Sequence, residues 1–133
     1  MGSILSALTG DAAAAADSSS VDHSAVTSFH SPQRWQLHLN SIKESSQLMV
    51  IDFAASWCGP CKFMEPEVKA MAEKFTDVSF AKIDVDELPN VAQEFGVQAM
   101  PTFVLVKKGK EVDRIVGAKK DELHKKIEKH RSF

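Results

Sequence analysis

Apolar residues gather in five short runs: AVTSF at 25–29, LMVIDFAA at 48–55, VSFAKIDV at 78–85, TFVLVK at 102–107 and EVDRIVG at 111–117. Each has the length of a β-strand. The second and fourth are almost continuously apolar, as expected of central strands covered on both faces. Between the runs the spacing becomes helical. Ser31 followed by Pro32 reads as an N-cap and first helical residue, and Trp35, Leu39 and Ile42 then recur at i, i+4 and i+7. Met64, Val68, Met71, Ala72 and Phe75 form a second stripe, which Pro66 is expected to interrupt and kink. ELPNVAQEFG predicts a short helix ended by Gly96, and Leu123 and Ile127 mark a last amphipathic helix from Lys119 onward.

The resulting order is β-α-β-α-β-α-β-β-α. Strands alternating with helices predict an α/β sheet with helices on both faces, and the KKGK turn through Gly109 predicts a closing antiparallel hairpin. A length of 133 residues suits one domain with a tail, and 44% apolar and 26% charged residues suit a globular core. Residues 1–24 are rich in Ala and Ser without an apolar pattern. They are expected to form a disordered N-terminal extension, with the domain spanning 25–133.

Charge removes some functions. A net charge of −2 argues against nucleic acid as a partner. Residues 107–133 hold ten basic and five acidic side chains, read as a solvated helix face. No apolar run reaches the ~18 residues of a membrane span, and no signal or transit peptide is recognised, so a reducing, cytoplasmic setting is expected.

Against that background stands AASWCGPCKFMEP at 54–66, which contains the chain's two cysteines. A CxxC that follows a buried strand and opens a helix reads as a redox motif. A helix N-terminus presents free N–H groups and a partial positive charge, and both stabilise a thiolate. Cys58 is therefore read as an exposed attacking sulfur of lowered pKa, with Cys61 shielded one turn behind. Pro60 starts the helix without wasting a donor, and Gly59 keeps the approach to Cys58 open. Zinc is a poorer reading. One CxxC supplies two of four ligands, and His23, His30, His38, His124 and His130 have no paired spacing. A structural staple is poorer too, since so small a loop removes little unfolded-chain entropy.

WCGPC, the upstream VIDFAA, the downstream KIDVDELP and AMPTF together resemble the thioredoxin family. DFAASWCGPCK and DVDELPNVAQEFGVQAMPTFVLVKKG are most similar to the plant h-type members. The likeness covers about residues 26–131. Bacterial members commonly carry Trp where this chain has Ala54, and a small residue there fits the plant group. The resemblance implies the thioredoxin fold, a mixed five-stranded sheet flanked by four helices.

It also implies site roles. Asp52, within a buried strand where ionisation is costly, would assist proton transfer at Cys61; the lesser reading from the residues alone is a strand-end carboxylate in water. Lys82 would neighbour Asp52 and tune it, or be an ordinary strand lysine. Pro101 would follow a cis peptide and leave the Met100 backbone free to pair with an extended substrate. Trp57 would shield and shape the site, and Gly117 would let a partner approach closely. The activity implied is reduction of disulfides in target proteins. The Cys58–Cys61 disulfide would be re-reduced by an NADPH-dependent thioredoxin reductase, with no bound cofactor and no metal. The alternatives are a glutathione- or glutaredoxin-reduced variant and a thiol-independent holdase or binding module. The opening MGSILS fits N-myristoylation at Gly2, with weak, reversible membrane association as the consequence; a leader without lipid is the other reading.

Overall fold

A computed structural model describes residues 24–131. Gly2, His23 and nearly all of the leader lie outside the described residues. The chain runs β1 (Val26–Phe29), α1 (Pro32–Lys43), β2 (Met49–Ala54), α2 (Gly59–Lys74), β3 (Ser79–Asp84), α3 (Pro89–Glu94), β4 (Thr102–Lys107), β5 (Lys110–Val116) and α4 (Lys120–His130). The strands form one sheet in the order β1-β3-β2-β4-β5. β1, β3 and β2 are parallel, and β4 is antiparallel to both β2 and β5. The mixed five-stranded sheet and its four helices match the expected fold.

All six residues of β2 are buried, which explains its unbroken apolar run. Strand alternation then divides its side chains between two cores. Leu48 and Val50 pack with Met64, Val68 and Phe75 of the α2 segment, and with Leu123 and Ile127 of α4. Met49, Ile51 and Phe53 pack with Trp35 and Ile42 of α1 and Val91 and Ala92 of α3. Helices therefore cover both faces. Asp52 falls on the α2 and α4 face by the same alternation.

Local chemistry sets the element ends. Ser31 caps α1, its Oγ accepting the Arg34 N–H at 3.2 Å. Lys108 and Gly109 both have positive φ, 54° and 79°, as a two-residue hairpin turn requires. A Cβ on Gly109 would also lie 3.0 Å from the Lys43 Cβ. The interruption expected at Pro66 does not break α2, which runs through it from Gly59 to Lys74. The proline removes one helical hydrogen bond, yet buried Cys61 and Met64 before it and Val68 and Met71 after it hold both halves to the core.

Candidate active site

The cysteines lie where β2 hands over to α2. Cys58 is the N-cap of α2 and Pro60 stands in its first turn. The two cysteines form a disulfide with Cα atoms 5.3 Å apart. Cys58 Sγ accepts the Cys61 backbone N–H at 3.1 Å. The sulfur thus takes one of the helix's free donors at its positive end, the arrangement that favours a thiolate once the disulfide opens.

Exposure does not separate the two sulfurs as the sequence suggested. Cys58 and Cys61 are each 5% exposed and share a small apolar cluster with Ala54 and Ala55, against which Val85 and Met100 pack. Position on the helix distinguishes them instead. Cys58 caps it, and Cys61 lies inside it.

Around the disulfide, the Met100–Pro101 peptide is cis. The Met100 carbonyl oxygen is 3.6 Å from Cys58 Sγ, where a reduced Cys58 thiol has an acceptor to meet. Thr102 Oγ1 donates to the Ala99 carbonyl at 2.6 Å, bracing the same turn. Gly117 donates its N–H to the Pro101 carbonyl at 2.8 Å. Its φ of +104° requires glycine whatever the surrounding space. Gly59 is different: an added Cβ would meet nothing within 4 Å, so no intramolecular packing demands glycine there.

Trp57 is 66% exposed, so it flanks the disulfide rather than burying it. Its indole N–H donates to Asp86 Oδ2 at 2.8 Å. Asp86 was not singled out from sequence; its only signal was its place in the acidic turn after KIDV. With Phe63, 58% exposed, Trp57 leaves large apolar surface at the α2 N-terminal end.

Asp52 is 6% exposed and its Oδ1 is buried without a hydrogen-bond partner. Burial pushes its pKa up to about 7, partly countered by Lys82 and reinforced by Glu65. Lys82 sits opposite Asp52 in the β2–β3 register. Its Nζ, however, pairs with Glu65 Oε2 at 3.0 Å. Glu65 was also missed in the sequence, where it reads as an ordinary exposed helix glutamate. Among the described residues, no group of three or more His, Cys, Asp or Glu side chains is placed to hold a metal ion.

The thioredoxin family profile matches residues 27–129. The chain belongs to the thioredoxin family. It is 61% identical to Thioredoxin H2 of Arabidopsis thaliana, across 99% of this chain and 100% of that one. It is 58% identical to Thioredoxin H2-1 of Oryza sativa subsp. japonica, across 82% and 79% of the two chains. The crystal structure of Thioredoxin NaTrxh from Nicotiana alata superposes with a TM-score of 0.82 at 68% identity, covering 86% of this chain and 100% of that one. This thioredoxin is similar to the plant h-type group. It is a thiol–disulfide oxidoreductase whose redox-active pair is Cys58 and Cys61. Among the described residues, no helix is long and apolar enough to cross a membrane.

Proposed function

We propose that this thioredoxin reduces disulfides in cytoplasmic target proteins through Cys58 and is itself re-reduced by an NADPH-dependent thioredoxin reductase. The observation that carries the reading is the Cys58 sulfur capping α2 and accepting the Cys61 N–H. In the first step the Cys58 thiolate attacks one sulfur of the target disulfide. A mixed disulfide forms, and the other target sulfur leaves as a thiolate. Asp52 accepts the Cys61 proton. The Cys61 thiolate then attacks Cys58 Sγ, which closes the Cys58–Cys61 disulfide and releases the second target sulfur. Two electrons pass to the target, and two from the reductase restore the dithiol.

The cis turn at Met100–Pro101 supports a docking role for this edge, because the Met100 carbonyl faces the Cys58 sulfur. An extended target segment pairing with the Met100 backbone would bring its disulfide to Cys58. Trp57, Phe63 and Gly117, with the exposed Gly59 and Pro60, supply the surrounding surface.

The test is reduction of a disulfide-bonded test protein with NADPH and thioredoxin reductase, run beside glutathione with glutaredoxin. Turnover with the reductase and little with glutathione is expected. Equal or faster turnover with glutathione would reverse the assignment of the donor. Loss of reduction when both cysteines are replaced by serine is also expected; undiminished suppression of client aggregation in that variant would favour a thiol-independent holdase.

A further inference from the structure

Asp52 and Lys82 are paired in register across β2 and β3 and project from the same face of the sheet. A lysine so placed is the natural partner for a buried carboxylate. The contact is not made. Lys82 Nζ lies 3.0 Å from Glu65 Oε2, and Asp52 Oδ1 is left buried and unpartnered. Glu65 arrives from α2 four residues after Cys61, on the turn that follows it. All three charged groups line one cleft of about 190 Å³, whose other walls include Ser28, Val68 and Lys69. Glu65 and Lys82 side chains are 55% and 31% exposed, whereas Asp52 is 6% exposed. The ion pair therefore stands at the water end of the cleft and Asp52 at its closed end.

We propose that Glu65 is a positioning residue for proton transfer at Cys61, holding the Lys82 ammonium at the mouth of the cleft and away from the Asp52 carboxyl. The inference rests on the proton-transfer role proposed for Asp52. Two effects act in the same direction. The Glu65 carboxylate disfavours a second negative charge nearby, and it draws off the cation that would otherwise stabilise ionised Asp52. Asp52 therefore keeps its proton to higher pH than Lys82 alone would allow, and the cleft gives that proton a path to water.

The remaining neighbours do not duplicate this role. On α2, Lys69 lines the cleft and the Cys58–Cys61 disulfide carries no charge. Asp52 is paired on β4 with apolar Phe103. β1 contributes Val26 and uncharged Ser28 to the cleft, and the buried residues of α4 on this face are Leu123 and Ile127.

The test is a carbon-13 NMR titration of the Asp52 carboxyl in the oxidised full chain, for the parent, Glu65→Gln, Lys82→Met and the double variant. Glu65→Gln should lower the Asp52 midpoint by about one pH unit, because the freed Lys82 can turn inward. In the Lys82→Met background the same change should shift it by less than half as much. Lys69→Met should not reproduce the Glu65→Gln effect. An unmoved midpoint in Glu65→Gln, or an equal shift in both backgrounds, would overturn the positioning role. Turnover against pH separates this inference from the one beneath it. The acidic limb should move with the Asp52 midpoint in Glu65→Gln. If the midpoint moves and the limb does not, Asp52 has no part in the proton transfer, although Glu65 controls its charge.

Discussion

Asp52 is a carboxyl group in a strand whose six residues are all buried, and its consequences reach from stability to rate. Its pKa rises from an ordinary 3.8 to about 7 on folding. The folded form therefore binds the proton more tightly than the unfolded chain. The contribution favours folding below pH 4 and is lost as pH rises from about 4 to about 7, with no further change above. Three pH units correspond to roughly 4 kcal/mol. Replacement by Asn leaves a buried amide short of partners, which offsets part of the gain. Asp52→Asn should thus be about 2 kcal/mol more stable than the parent at pH 8 and about 2 kcal/mol less stable near pH 4. Urea unfolding at the two pH values measures this. The same variant should turn over more slowly near neutral pH, since it has lost the proton acceptor. A polar residue set in an apolar run made Asp52 legible in the sequence. Glu65 and Asp86 were not legible, because their partners, Lys82 and Trp57, lie 17 and 29 positions away and only the fold brings them together.

At the scale of elements, the apolar pattern located each strand and helix among the described residues, most plainly in β2 and β4, which are buried almost throughout, and less so in β5, where Ile115 alone is buried. The continuity of α2 through Pro66 was not legible, because it depends on packing on either side of the proline and not on local propensity. The basic C-terminal end was read as a solvated face, yet much of it is paired. Asp113 of β5 accepts from Lys126 Nζ at 2.8 Å and pairs with His130 Nε2 at 2.9 Å, both on α4. Arg131 reaches Asp77 Oδ1 at 2.6 Å. Burial pushes the Asp113 pKa upward, but the hydrogen bonds from Lys126 and His130 outweigh it and bring the value down to about 2. That stabilisation is present above pH 4 and is lost as pH falls towards 2. Asp113→Asn should cost about 2 kcal/mol at pH 7 and little at pH 2, measured by chemical unfolding. In the β4–β5 turn, Gly109→Ala should cost about 1–2 kcal/mol, read as a lowered Tm, because it strains a positive φ and crowds Lys43.

The described residues form one sheet with a core on each face and a disulfide beyond the end of its central strand. β2 is buried on both faces, and the segment that follows it carries Cys58 to the N-cap of α2. The Met100 carbonyl reaches that point from a distant part of the chain, and the exposed Trp57 lies beside it. The proposed division of labour lies between two sulfurs that burial alone does not distinguish. Capture of a disulfide-bonded target by single-cysteine variants, read by mass spectrometry, tests it most directly. Cys61→Ser should accumulate a mixed disulfide through Cys58, and Cys58→Ser should accumulate almost none. Capture through Cys61 in the Cys58→Ser protein, with none through Cys58 in the reverse variant, would contradict the account.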